Sequence, residues 1–389
     1  MKNSIIFEYI NTREKYDNNF RKSIQNMYAK NARFSGFLIR LIVSLLAFFV
    51  KPKPGSIKYF FWGNKYTEII TSLSKSEVCV IGGPKQLLFC LKHRIKFIPC
   101  MRMWDVLLLS IVNNMEDNTG KLDKLIGNLS SKIDKFKSYK SVLVVDNDSL
   151  PMQRSVITAA RQANLDEIIC IQDGLFQSKS PKEFFHGWFS DRFFVINEIQ
   201  KQLLIDKGMD EKKIHVMGFH KSTYKPKRPL SKANDRKVCF LGQPWLKYGD
   251  KQGLRYLEIV ASLSDSLREL GYLIYYKPHP WENQLALLDN KFDGVYKGSL
   301  ENAIEEYDVF ISITSTALLE VAASGRIAIQ VYDDVFDCDD MSIYPNIYTV
   351  YFASKNFSND LMYLIIKENE NDDIEMGQSV IERFRKGLE

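Results

Sequence analysis

The sequence predicts an α/β protein made of two doubly wound domains, each a parallel sheet wrapped by helices. Three observations predict it. Strand-like apolar runs alternate with helical stretches in both halves of the chain, the pattern of consecutive βαβ units. Some runs are continuously apolar rather than alternating, as in Ser141-Val142-Leu143-Val144-Val145, which marks strands covered on both faces. Between the halves, residues 220–236 (HKSTYKPKRPLSKANDR) are rich in Lys, Pro and Ser and lack apolar periodicity, so they read as a linker. A length of 389 residues suits two domains. The expected division is an N-terminal domain over 1–222, a linker over 223–236, a C-terminal domain over 237–372 and a terminal helix over 373–389.

In chain order, residues 1–33 are polar, basic and helical in character. The strongest apolar segment follows, 34–50 (FSGFLIRLIVSLLAFFV). Arg33, Gly36, Arg40 and Ser44 recur at helical spacing and make one narrow polar stripe. Its uninterrupted part falls short of the about 20 apolar residues that a membrane-crossing helix needs. Lys22, Lys30 and Arg33 precede it; Lys51 and Lys53 follow. It reads either as a helix buried in the N-terminal domain or as a basic-flanked helix lying in a membrane interface, with a full span as the third alternative. Strands are then expected near 57–62, 78–81 and 95–98, the second followed by Gly82-Gly83-Pro84 and a helix. Residues 116–140 read as helix with a loop. The strand 141–145 ends in Asp146-Asn147-Asp148, a helix covers 151–163, and the strand 168–171 ends in Gln172-Asp173-Gly174. A strand at 192–196, a helix at 198–207 and a strand at 214–217 complete the first half.

The second half repeats the alternation. A strand at 238–241 runs into Gly242-Gln243-Pro244-Trp245, and an amphipathic helix covers 254–270. The run 271–276 enters the corner Lys277-Pro278-His279-Pro280. Helix 300–306, strand 309–313, helix 316–323 and strand 326–331 follow, and the last stretch ends in a charged helix, 374–386.

Composition narrows the function classes. Hydrophobic content of 45% and charged content of 26% are ordinary for a globular protein. A net charge of +6 favours anionic substrates or an anionic membrane surface. With no dense Lys/Arg stripe, zinc-finger spacing or RNA-binding aromatic signature, no nucleic-acid partner is expected. The six cysteines form no Cys-x-x-Cys pair, so no structural zinc is expected; within strand-like runs they read as small buried hydrophobes. A reducing cytoplasm fits them, and the N-terminus shows no secretory signal. Walker, G-x-G-x-x-G and G-x-S-x-G motifs are absent from the sequence.

Three candidate sites lie at carboxyl ends of strands, where doubly wound sheets bind ligands. In the first, two prolines stiffen the corner that carries Lys277 and His279, and two cationic-capable side chains at a strand end suit a phosphate. The second is Ser312-Ile313-Thr314-Ser315-Thr316, whose hydroxyls cap a helix or bind an anion. The third is Gln172-Asp173-Gly174, which puts a carboxylate in the opposite half, across the cleft expected between facing domains. A carboxylate that takes a hydroxyl proton, opposite groups that stabilise a departing phosphate, is the chemistry of glycosyl transfer. His186-Gly187 reads as a turn, with a cleft loop near the acceptor as the alternative. The acidic run at Asp333, Asp334, Asp337, Asp339 and Asp340 reads as a solvated face rather than a metal site, so no metal is expected.

Taken together, Asp-Gly, Lys-x-His-Pro and the Ser/Thr cluster resemble the motifs of bacterial sialyltransferases and polysialyltransferases of the GT-B fold. The resemblance spans about residues 141–331; the first 140 residues carry no matching motif. It implies two Rossmann-like domains facing across a cleft. It also implies that Asp173 is the general base and that His279 and Pro280 form the His-Pro motif, with His279 contacting the phosphate of CMP. Thr314, Ser315 and Thr316 would bind that phosphate. The backbone around Lys277 and Pro280 would border cytosine, Glu301 would contact the ribose, and Gly242 completes the donor-binding set. Gln172 departs from the family, which has an acid there. Similar arrangements occur in capsule-type Kdo transferases and in teichoic-acid glycerophosphotransferases; Asp173 stands where the latter have His.

The expectation is an inverting, metal-independent glycosyltransferase without cofactor, moving sialic acid or a related nonulosonate from a CMP-sugar to a bacterial surface glycan such as lipopolysaccharide, O-antigen or capsule. The acceptor would be lipid-linked and the enzyme cytoplasmic, at the inner face of the membrane through 34–50. A Kdo or CDP-glycerol donor is the alternative chemistry. A non-catalytic nucleotide- or sugar-binding component of a glycan assembly complex is the alternative of another class.

Overall fold

A computed structural model describes residues 10–12, 14–15, 21–22, 25–26, 29, 36–112, 119–220, 226–247, 250–279, 282, 288, 290–366 and 380–388. Pro280, most of 1–33, the linker residues 223–225 and the start of the terminal helix lie outside the described residues. The chain forms two compact units, one of residues 1–175, 181–222 and 378–389, the other of 176–180 and 223–377.

In the first unit, helix α1 (Phe37–Ala47) runs into a 3-10 turn, Phe48–Val50. Then come β1 (Ile57–Trp62), α2 (Thr67–Ser72), β2 (Val78–Gly82), α3 (Pro84–His93), β3 (Lys96–Pro99) and α4 (Met101–Val112). The unit continues with α5 (Thr119–Phe136), β4 (Lys137–Val145), α6 (Pro151–Gln162), β5 (Glu167–Ile171), β6 (Arg192–Val195), α7 (Glu198–Asp206) and β7 (Ile214–Val216). The seven strands are parallel, in the order β3-β2-β1-β4-β5-β6-β7. Continuous apolar runs become the covered strands: every residue of β2 is buried, as are Ser141 to Val145 of β4. Pro84 and Pro151 stand at the starts of α3 and α6, where a missing N–H costs nothing. Helix α4 follows β3, with Met103, Leu107 and Ile111 buried at helical spacing.

The second unit has β8 (Val238–Leu241), α8 (Asp250–Glu269), β9 (Ile274–Lys277), β10 (Gly294–Val295), α9 (Leu300–Glu306) and β11 (Val309–Ser312). It ends with α10 (Ala317–Ala323), β12 (Ile327–Tyr332), β13 (Ile347–Tyr351) and α11 (Phe357–Ile366). Six parallel strands lie in the order β10-β9-β8-β11-β12-β13. Helix α8 buries Tyr256, Ile259, Val260, Leu263 and Leu267, the helical spacing of a core-facing stripe.

Each sheet reverses its strand order once, beside β1 (between β2 and β4) and beside β8 (between β9 and β11). These are the switch points at which doubly wound sheets leave a crevice at the carboxyl ends of their strands.

Of the basic, proline-rich stretch before β8, residues 226–236 are docked rather than loose. Asp308, fully buried, accepts the Ser231 N–H at 3.0 Å and the Lys237 N–H at 3.1 Å and pairs with Arg228 at 2.8 Å. The chain's last described helix, α12 (Val380–Leu388), belongs to the first unit, where Phe384 packs against Phe61 and Phe194. Helix α1 and the turn after it are packed on one side: Val43, Ala47 and Val50 join the core, while Leu38, Leu45, Phe48 and Phe49 face solvent. Among the described residues, no helix is long and apolar enough to cross a membrane. All six cysteines are buried and free.

Candidate functional site

At the switch point of the first unit, β1 ends in Trp62-Gly63-Asn64-Lys65 and β4 in Asp146. These residues, with Gly82 at the end of β2 and Gly83 and Gln86 after it, line a cavity of about 490 Å³. Gln86 shapes its floor: its Oε1 accepts the Gly83 N–H at 3.1 Å and its Nε2 donates to Asn64 Oδ1 at 3.4 Å. A Cβ on Gly82 would lie 2.6 Å from Gln86 Cγ, so the close approach requires glycine. Trp62 and Trp104 add an aromatic wall, their ring centroids 6.0 Å apart.

Asp173 follows the neighbouring strand β5 and forms an ion pair with Lys65. Asp146 accepts from Gln153 Nε2 at 3.2 Å. Burial pushes the Asp146 carboxyl above its ordinary value, against the pull of Lys65 and of Gln153, and the charge of Asp173 adds to the rise. The structure therefore brings together two carboxylates and one ammonium at the edge of a sugar-sized cavity. Only Asp173 of these was singled out from the sequence. The others had a usable signal: strand-terminal polar residues beside the first strand of a doubly wound unit.

Gln172 has a structural task. Its Nε2 donates to Gly174 O at 2.8 Å and to Gln200 Oε1 at 2.5 Å, and its Oε1 accepts the Ile196 N–H at 3.0 Å. Asp148 likewise accepts three backbone N–H groups, from Gly187, Phe189 and Ser190, at 2.7–2.9 Å. It thereby holds the His186-Gly187 turn, where Gly187 has φ +91°.

At the switch point of the second unit, Gln243 grips the loop after β11. Its Nε2 donates to Thr314 Oγ1 at 2.6 Å while its Oε1 accepts the Thr314 N–H at 2.9 Å. Ser312 Oγ donates to Leu241 O at 2.9 Å, tying β11 to β8. Ser315 Oγ accepts the Ala317 N–H at 3.3 Å, and Thr316 stands at the N-cap position of α10. Gly242 is needed because a Cβ there would collide with the Tyr276 hydroxyl and lie 2.7 Å from Glu282 Oε2. Tyr276 and Tyr256 meet at 3.2 Å through their hydroxyls, and burial pushes both phenols up.

Lys277 closes β9, in register with Leu241 of β8. Its ammonium donates to Gly298 O at 2.5 Å, toward the outer strand β10, and burial lowers its pKa below the ordinary lysine value. The His279 N–H donates to Glu282 Oε2 at 3.1 Å, and the Glu282 N–H returns a bond to His279 O at 2.9 Å, closing a tight turn. Glu301 is exposed in the first turn of α9. Gln243 and Glu282 are the residues that sequence reasoning passed over. The acidic run after β12 divides: Asp334 and Asp337 are exposed, as a solvated face requires, whereas Asp333 pairs with Arg255 at 2.7 Å, Asp339 accepts from Ser178, and Asp340 accepts from Thr349 Oγ1 at 2.6 Å. Among the described residues no group of three His, Cys, Asp or Glu side chains is arranged to hold a metal ion.

No protein-family profile and no curated protein sequence matches the chain. Solved structures match it as a fold. The lipopolysaccharide outer core galactosyltransferase WaaB, in its apo form, is 13% identical, with 85% of this chain and 98% of that one covered at a TM-score of 0.53. The UDP-GlcNAc 2-epimerase of Methanocaldococcus jannaschii is 15% identical, covering 85% and 99% at a TM-score of 0.56. Anabaena Alr3699/HepE in complex with UDP-glucose is 10% identical, covering 85% and 99% at 0.54. At such identities the likeness concerns the fold. The chain has the GT-B fold, with two Rossmann-like parallel α/β units.

Proposed function

We propose that the protein is an inverting, metal-independent glycosyltransferase that moves an acidic sugar, sialic acid or a related nonulosonate, from a CMP-activated donor to a lipid-linked surface glycan. One observation carries the reading: each unit has its own switch point, furnished with different chemistry. The first offers carboxylates, Asp146 and Asp173, beside an aromatic-walled cavity suited to a sugar acceptor. The second offers the hydroxyls of Thr314, Ser315 and Thr316 beside Gly242, with Lys277 and His279 on the next strand end. The cytidine and sialic-acid assignments rest on the motif resemblance.

In this reaction the acceptor O–H loses its proton to the Asp173 carboxylate, and the oxygen bonds to the anomeric carbon. The bond from that carbon to the phosphate oxygen breaks, its electron pair leaves with CMP, and His279 with the Ser/Thr hydroxyls receives the phosphate. Asp173→Ala is expected to lower kcat by about 10²- to 10⁴-fold, whereas Asp146→Asn should act mainly through acceptor KM. The converse result would move the base one strand over, to Asp146. In that case the rising limb of the pH profile should sit above the ordinary carboxylate value, because burial raises that group.

A UDP-sugar donor is the second reading, favoured by the UDP-glucose held by the HepE structure. Thermal shifts with CMP, CDP, UDP and GDP separate the two, since a nucleotide at a hundred times its Kd stabilises by about 2.7 kcal/mol. Stabilisation by UDP alone refutes the cytidine assignment. Because a 2-epimerase shares the fold, donor incubated without acceptor should also be checked for an epimerised sugar, which would replace the transferase reading.

A further inference from the structure

The first unit carries an apolar ridge that its own core does not use. Leu38, Leu41, Ile42 and Leu45 recur along one side of α1, and the 3-10 turn adds Phe48 and Phe49, 74% and 76% exposed. The other side of the helix is anchored in the core through Val43, Ala47 and Val50. The ridge is thus held outward by a fixed scaffold rather than by a loose end. An exposed contiguous patch of this kind marks an interaction surface.

Beside the ridge, α1, α4 and α5 enclose an open cavity of about 400 Å³. Arg40, Arg102 and Lys132 line it and no carboxylate does. Arg40 is paired with Asp105 at 2.7 Å, just outside the lining. Among the described ion pairs, Arg102 and Lys132 meet no carboxylate, and the positive charge of Arg102 acts on Lys132. Leu41 belongs both to the ridge and to the cavity wall. Lys51 and Lys53, both exposed, follow the ridge directly.

We propose that this face docks on an anionic lipid bilayer, with the α1 ridge and the Phe48-Phe49 turn entering the interfacial layer and the Arg102–Lys132 cavity taking a lipid phosphate. Apolar side chains bordered by uncompensated cations match acyl chains beneath anionic headgroups. A second copy of the chain is a poorer occupant, because a two-fold contact presents the same patch to itself and would bring these cations against one another. The proposal is independent of the nucleotide donor.

Co-sedimentation of the full chain with vesicles tests it. Vesicles of phosphatidylcholine mixed with phosphatidylglycerol should bind the protein, those of phosphatidylcholine alone far more weakly, and added salt should release it. Replacing both rings, Phe48→Ser with Phe49→Ser, should weaken binding by about tenfold or more for each ring. Arg102→Gln with Lys132→Gln should cost about fivefold per charge on the mixed vesicles and little on phosphatidylcholine. These side chains are exposed, so urea midpoints of the variants should match the parent, which excludes misfolding as the cause. Equal partition of parent and ring variant overturns the proposal. So does a concentration-dependent dimer, dissolved by the ring variant, in a protein that ignores vesicles; that result assigns the face to a second copy. Stabilisation by inorganic phosphate without vesicle binding also overturns it.

Discussion

Gln172 shows how one side chain can look like a lost catalytic acid and be something else. Its amide donates to two acceptors and its carbonyl accepts from the Ile196 N–H, all in a buried setting. A carboxylate there has no hydrogens for Gly174 O and Gln200 Oε1. Gln172→Glu is therefore expected to destabilise the protein by about 1–3 kcal/mol, read as a lower urea midpoint, and to bring no gain in transfer. A gain in transfer at unchanged stability would restore the two-acid motif. Gly242 is a comparable case. What excludes a larger residue there is the Tyr276 hydroxyl and Glu282, not a special φ.

Among elements, the segment before β8 depends on Asp308. Burial pushes this carboxyl up, but hydrogen bonds from the Ser231 N–H, Arg228 and the Lys237 N–H outweigh it and hold the pKa below the ordinary 3.8. Arg326, also buried, lies 3.8 Å away and donates to Arg228 O at 2.8 Å. A carboxyl with a depressed folded pKa contributes stability that is complete above its unfolded value and lost as pH falls through the folded one. Asp308→Asn should cost about 3–5 kcal/mol near neutral pH. The gap to the parent should start to narrow as pH falls below about 4, the ordinary carboxylate value, and close only below the lower folded pKa, where both carry a neutral side chain. Urea titrations at the two pH values check this; a gap that persists in acid would mean the contribution is one of shape and not of charge.

For the whole molecule, the chain order and the spatial order part company at the end. Residues 378–389 come last yet belong to the first unit. Arg383 Nη2 donates to Phe219 O at 2.8 Å, and the Phe384 ring lies 6.4 Å from Phe61 and 6.1 Å from Phe194. Phe384→Ala is expected to cost about 3–5 kcal/mol, and the loss should fall on the first unit. Hydrogen exchange reads this directly: amides of β1 and β6 should lose protection while those of β8 and β11 keep theirs. Equal loss in both sheets would show that the two units unfold as one.

By itself, the sequence determined the class of the fold and most of its strands, because burial on two faces writes itself as continuous apolar runs and short strands end in recognisable turns. It also determined that Asp173, Lys277, His279 and Thr314 stand at strand ends. Strand order was not legible, since pairing is a matter of contacts far apart in sequence. That order decides which strand ends flank a switch point, and so adds Lys65, Asp146, Gln86 and Gln243 to the candidate site. The same holds for charge. Lys65 beside Asp173, or Asp308 among its donors, involves residues separated by 108 positions in one case and 80 in the other, and only the fold decides which ions meet. The apolar segment was visible from its composition. Which half of it faces inward was settled by packing, since a helix that is apolar on both sides gives periodicity no preferred face.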